Sequence, residues 1–467
     1  MQTHRGRLLC PDFLSPDCRV HEFINTYLQG NNMKKFAAAV LLAGASAPAF
    51  ALTEAEISAR LEQMANEIEA LKSELKRVKE QQTAPPANAT ATAPGASAYG
   101  ALTAGASSAT AAEPATTFTG YGEINYNRPR HNSGEAQLDV RRAVLGVNHR
   151  FDDHTRFTFE LEVEHAVASA GDRGEVAIEQ AYIERQLTAN TALTTGLFLI
   201  PSGLLNRNHE PTAYYGVERN FVETAIIPST WREVGVSLRG SPDSGFLRGF
   251  EWNVGVTSGF DLNKFDSKSD DARESPLASI HQEGQLARAR DLSTYGALEY
   301  KGLPNLLVGG SLFTGKAGQG QADFPARNAR VTLWEGHARY TPGRWDLSAL
   351  YALGRISGTR DLNLTFAGNP TPVPKEFFGW YVQGAYAVWT NGDASLAPFA
   401  RYERFNTAYK YEELPPGLGI APSATEGVTT VGLSYKINPG VVFKADYQKF
   451  KVDNQRDRFN LGVGYAF

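Results

Sequence analysis

The chain is almost without cysteine. Its 467 residues hold two, Cys10 and Cys18, and both precede Met33. Whatever folds after Met33 does so with neither disulfide nor thiol chemistry. Long apolar runs are missing too, and the mean hydropathy is negative. That excludes a bundle of membrane helices, each of which needs roughly 20 mostly apolar residues. It does not exclude a barrel that is apolar outside and wet inside. Nor is there an excess of one charge, with 46 Lys+Arg against 50 Asp+Glu. Without a basic stripe, nucleic acid is not an expected partner. Glycine (44 residues) and aromatics (11%) are plentiful, as strand-rich barrels require.

Met33-Lys34-Lys35, the apolar run Phe36 to Ala45 and then Ala49-Phe50-Ala51 follow the layout of a secretory signal peptide over 33–51. Signal peptides begin at the N-terminus, so 1–32 reads as an over-extended start and the mature chain as beginning near Leu52. Over 52–82, Ile57, Leu61, Met64, Ile68, Leu71, Leu75 and Val78 alternate spacings of four and three. This heptad seam predicts a short coiled coil of two or three copies, reaching roughly 45 Å into the periplasm. A single helix lying on another surface is the alternative. The stretch 83–117 is mostly Ala, Thr, Pro, Ser and Gly and reads as a linker.

From Phe118 the pattern changes. Segments of about ten residues alternate apolar and polar, and sixteen can be counted across 118–467. Short connections carry turn residues, as at Pro342-Gly343 and Asn438-Pro439-Gly440, and alternate with much longer ones. The expected fold is all-β, a 16-stranded antiparallel transmembrane β-barrel preceded by the α-helical coiled coil, in a Gram-negative outer membrane. A soluble sandwich is the competing architecture. In the last segment Phe459, Leu461, Val463, Tyr465 and Phe467 share one face, while Arg456, Arg458, Asn460, Gly462 and Gly464 share the other. Such an aromatic strand, ending on Phe467, looks like the signal read by barrel-insertion machinery. Tryptophans test the placement. Alternation points Trp252, Trp334, Trp345 and Trp380 toward lipid, and Trp231 and Trp389 inward.

The connection 201–230 mixes Leu204, Leu205, Tyr214, Tyr215, Phe221, Ile226 and Ile227 with charges. A solvent-exposed loop would not need those residues, but one folded against the inner wall of the barrel would. The stretch from Gly196 to Leu238, with Val140-Arg141-Arg142-Ala143 and Ala181-Tyr182-Ile183-Glu184, resembles the phosphate-selective porin O and P family. The resemblance implies a trimeric sixteen-stranded channel, narrowed by this third loop, that passes small anions or dicarboxylates. Phosphate itself is less expected, because the barrel segment is slightly acidic and its loops hold no lysine cluster.

The inward-facing bases are Arg142, Arg207, Arg219, Arg401, Lys444, Arg456 and Arg458, with Glu160, Glu162, Glu210, Glu218, Glu403 and Asp446 facing them. Each charge either lines the pore or locks the loop to the wall. His209, beside Glu210, reads first as a hydrogen-bonded structural residue and alternatively as a pH-sensitive contact. No Gly-x-Ser-x-Gly or His-Glu-x-x-His occurs, and the histidines show no ligand spacing. The expectation is therefore a homotrimeric porin in lipid, without catalytic residues, cofactor or metal. A barrel enzyme with a dispersed triad and a tether to the cell wall are the alternatives.

Overall fold

The computed structural model describes residues 115–366, 371–415 and 421–467, together with Lys72. The signal segment, the linker up to Pro114 and all of the heptad helix except Lys72 lie outside the described residues. Lys72 is helical and exposed.

Seventeen strand segments run from Thr116 to Ala466, and consecutive segments are hydrogen-bonded neighbours. The first, β1 (Thr116–Pro129), also pairs antiparallel with the last, β17 (Arg458–Ala466), from Tyr121↔Ala466 to Pro129↔Arg458. That closure leaves no unpaired strand edge, which a lipid environment would not tolerate. Two segments, β12 (Glu376–Tyr386) and β13 (Trp389–Asn391), both pair with β14 (Ala394–Lys410) and form one stave. The result is a closed antiparallel barrel of sixteen staves, and each sequence segment expected to be a strand is one.

The distribution of polarity excludes the sandwich. In β15 (Glu426–Asn438), Thr430 and Ser434 are buried, whereas Val431, Leu433, Tyr435 and Ile437 are exposed. Polar inside and apolar outside is the reverse of a water-soluble core, and it suits a protein whose outer solvent is hydrocarbon. None of the described helices is long and apolar enough to cross a membrane; the strands cross it. Val431→Arg, at mid-height on the outer face, should therefore destabilise the folded barrel by about 2–4 kcal/mol. Urea titration in detergent or lipid checks this, and an unchanged midpoint would mean that this face does not meet lipid.

Trp334, Trp345, Trp252 and Trp380 point outward, and Trp231 is fully buried, as alternation requires. Trp389 does not follow. It is exposed and lies beside the outward Tyr435, with ring centroids 6.4 Å apart. The cause is one extra residue between β12 and β13. Ala385 pairs with Phe399, but Trp389 pairs with Leu396, so a bulge over Ala387–Val388 reverses the alternation. Two aromatic belts result. Trp334 is level with Leu353, eight residues from Trp345 along the same strand. That is ~26 Å along the chain, or ~20 Å after the usual tilt, close to the apolar band of such barrels.

At one end the staves are joined by tight connections, such as Asp153–His154 between β2 (Gln137–Asp152) and β3 (Thr155–Glu164). Gly343, at φ +61°, supplies the left-handed residue of another. At the other end the connections are long, and several of them fold inward. Their apolar side chains, including Val222, Ile226, Ile227, Phe260, Leu277 and Ile280, pack on Phe313, Leu333 and Phe377 of the staves and on Trp231 at the foot of β6 (Arg232–Gly240). One side of the lumen is thus a dry core, and the polar passage is confined to the rest.

Candidate functional site

The third long connection, 200–231, leaves β5 (Thr191–Leu199) and returns at β6 (Arg232–Gly240). Its base is clipped by Asn206. The amide donates to the carbonyls of Ile200 (2.7 Å) and Trp231 (2.9 Å), and its oxygen accepts from the Trp231 N–H at 2.7 Å. Beyond the clip the chain reaches staves all round the ring. Arg207 meets Glu299 of β8 (Ser293–Tyr300) at 2.8 Å. Tyr214 donates to Glu123 of β1 at 2.8 Å, and Asn127 of β1 donates to Glu218 at 3.0 Å. The Val217 N–H donates to Asp446 of β16 (Val441–Phe450), and the Phe221 N–H to Glu403 of β14, each at 2.6 Å. β1 and β8 stand nearly opposite in the ring, so the connection spans the lumen.

Glu223 holds the crossing together. It lies in a single π-helical turn, Val222–Ile226, and is buried. Its carboxylate accepts from the Leu205 N–H (2.7 Å), Asn220 (2.8 Å) and Tyr381 of β12 (3.0 Å). Burial pushes this carboxyl above its ordinary range, against the pull of those donors. Gly203 fits beneath it at φ +78°, where a Cβ would press on the same carboxylate.

The seven candidate bases divide. Three are tied to carboxylates. Arg142 is buried among Glu123 (3.0 Å), Glu162 (2.8 Å) and Glu164 (3.5 Å). Arg207 is paired with Glu299, and Arg401 with Glu403 at 3.0 Å. The other four make no ion pair among the described residues. Arg219 is held by Ser229 and by the carbonyl of His209 (3.1 Å). Lys444 is buried, its ammonium 3.6 Å from the centre of the Tyr214 ring. Arg458 donates to Gln448 at 2.6 Å. Arg456 is not on the last strand, as alternation suggested. It ends a 3-10 turn, Asn454–Arg456, and its exposed guanidinium stacks over Phe450 (4.8 Å) and Phe221 (5.5 Å). Of the acids on the connection itself, Glu218 is bonded to Asn127 and Glu210 is half-buried.

His209 has different partners from those its sequence neighbour suggested. Its Nε2 lies 2.7 Å from the Tyr121 hydroxyl and 3.4 Å from Glu179, and its Nδ1 lies 2.9 Å from the Asn206 carbonyl. Burial opposes a charge on the ring, but the field of Glu179 and its bond outweigh that, and the pKa is raised. Glu179 escaped the sequence reading for a definite reason. In β4 (Val176–Thr188) the register slips, with Glu160↔Gln180 followed by Leu161↔Ile178. Glu179 is the unpaired residue, and the bulge turns it inward beside Gln180, where both are buried.

Opposite the Tyr214–Tyr215 corner of the connection, a cleft of ≈ 40 Å³ is walled by Arg339, Asp346, Gln383 and Arg401. Arg339 grips Asp346 through two bonds, of 3.0 and 2.7 Å. A basic and an acidic side chain therefore face the loop at the same level, and neither was singled out from sequence. What could have found them is the parity of β10 (Arg330–Tyr340) and β11 (Trp345–Ser357), which turns both inward.

Residues 118–460 match the family model described as phosphate-selective porin O and P. An uncharacterized protein of Aquifex aeolicus (strain VF5) is 27% identical over 381 residues, 79% of this chain and 84% of that protein. Among solved structures, Salmonella typhi OmpF in complex with daunomycin superposes with a TM-score of 0.54 at 14% identity, covering 75% of this chain and 97% of that one. The likeness is one of fold. An anion-selective porin from Comamonas acidovorans matches with a TM-score of 0.44 at 14% identity, over 75% of this chain and 99% of that one.

Proposed function

From a chain that belongs to the phosphate-selective porin O and P family, and so from an outer-membrane channel, we propose a passive, anion- or dicarboxylate-preferring porin whose selectivity is set by the connection 201–230. Small hydrophilic solutes diffuse down their gradient through the polar part of the lumen, and the third loop is its constriction. One observation supports this most. Arg219 and Arg456 lie on or against the crossing segment and Arg458 on the barrel wall beside Gln448, all three without a bound carboxylate, and a guanidinium keeps its charge in any such setting. Fixed positive charge at the narrowest level lowers the barrier for an anion and raises it for a cation. The paired bases, Arg142, Arg207 and Arg401, brace wall and loop, with Arg207 leaving about a third of its side chain exposed. The protein works as a homotrimer held by the heptad helix 52–82, which follows the signal peptide and leads through the linker into the barrel.

Planar-bilayer recording in a salt gradient, with phosphate and then a dicarboxylate added, tests this reading. Conductance is expected in threefold steps with an anion-biased reversal potential and block by one of the two solutes. Arg207→Ala with Arg219→Ala should reduce the anion/cation permeability ratio to roughly half or less. An unchanged reversal potential in the double variant would overturn the assignment of the loop.

A further inference from the structure

Where the third connection touches β3 and β4, it brings together two carboxylates and an imidazole that the channel reading does not use. Glu160, Glu179 and His209 each offer a donor atom, and all three atoms lie within 4.8 Å of one another. We propose that this cluster is a binding site for a divalent transition metal of the zinc class, fastening the loop to the wall.

Four features point to a ligand. The first is an orphan. Glu179 is fully buried, and its Oε1 has no hydrogen-bond partner, although it faces the ring of His209. The second is distance. Oε1 and Nε2 are 3.4 Å apart. For metal–N and metal–O bonds of ~2.0–2.1 Å, two ligands of a tetrahedral ion are ~3.3–3.4 Å apart. The third is the surrounding support. His209 Nδ1 is 2.9 Å from the Asn206 carbonyl, which fixes the tautomer that leaves Nε2 as ligand. Tyr121 donates to Oε2 of Glu179 at 2.7 Å, and Gln180 donates to Oε2 of Glu160 at 2.5 Å. Metal-bound histidines and carboxylates are oriented in this way. The fourth is charge. Arg142 is occupied by Glu123, Glu162 and Glu164. Among the described residues neither Glu160 nor Glu179 has an Arg or Lys within ion-pair distance; His209 is the nearest basic group to Glu179, and Arg219 acts on it only from farther off.

Glu160, half-buried, stands on the accessible side of the cluster and gives an ion its way in; water completes the coordination. A metal bound at Nε2 takes the place of any proton on that nitrogen, and the displaced proton leaves to solvent. Tyr121 keeps its bond to Glu179 throughout.

The test uses the folded full-length chain in detergent, stripped with a chelator and titrated with Co²⁺ as a spectroscopic probe. One saturable site per chain should appear, with the intense visible band of four-coordinate cobalt, and Zn²⁺ should displace it. His209→Gln and Glu179→Gln should each abolish the band. Absence of a band, or a band that survives in both variants, would overturn the site and leave a histidine–carboxylate pair. If those two variants fail to fold, Glu160→Gln on the open side decides: Co²⁺ affinity should fall at least about tenfold, and an unchanged affinity rejects the proposal.

Discussion

Replacing Glu223 by alanine should widen the channel and make its current unsteady. Among the described residues the carboxylate alone is bonded to both arms of the crossing, through the Leu205 N–H and Asn220, and also to the wall, through Tyr381. Its loss leaves three donors facing a cavity, each at a cost of ~1–3 kcal/mol. A loop cannot stay closed over that deficit when it can move into a water-filled lumen. Single-channel conductance should rise, roughly doubling, with frequent sub-states. Glu223→Gln keeps one acceptor oxygen and should fall between the two. Wild-type conductance in Glu223→Ala would show that the loop is held by its apolar face alone, through Val222, Ile226 and Ile227.

The second large effect is expected in the wall. Arg142→Met keeps an unbranched apolar stem but leaves Glu123 and Glu162 buried without their cation, and Glu164 beside them. Removing one partner from a buried ionic cluster costs ~3–5 kcal/mol, because the remaining charges are desolvated and repel one another. The temperature at which the barrel unfolds on semi-native gels should drop, on the order of 10 °C. Adding Glu123→Gln and Glu162→Gln to Arg142→Met should recover most of that loss. If Arg142→Met alone is as heat-resistant as wild type, the carboxylates take up protons freely and the cluster is not a stabilising one.

These two residues differ in how far the sequence revealed them. Arg142 was readable because β2 alternates cleanly from it onward, with Val144 buried and Leu145 exposed, although an extra residue at Arg141 breaks the register with β1 just before it. The staves themselves were readable for the same reason, most clearly in β17, where Phe459, Leu461 and Tyr465 are exposed and Asn460 is buried. Alternation fails where a single residue is inserted. The bulge at Ala387–Val388 reversed Trp389, and the slip at Leu161 brought Glu179 inside. Neither carries a proline or glycine to announce it, and an extra residue is visible only once the partner strand is known. Glu223 was hidden differently. The apolar residues around it showed that the loop packs inward, but its importance lies in meeting Leu205 and Tyr381, eighteen and 158 residues away. Arg456 was placed one turn out because a 3-10 turn and a strand start present the same polar pattern over three residues.

The Asn206 clip has a consequence for how such a channel can diversify. Both ends of the connection are fastened to each other by three hydrogen bonds before the chain sets out across the barrel. The entry and exit strands therefore experience the same anchorage whatever the crown between them contains. The crown behaves as a cassette: its length and charge can be exchanged while the clip holds the ends of β5 and β6 together.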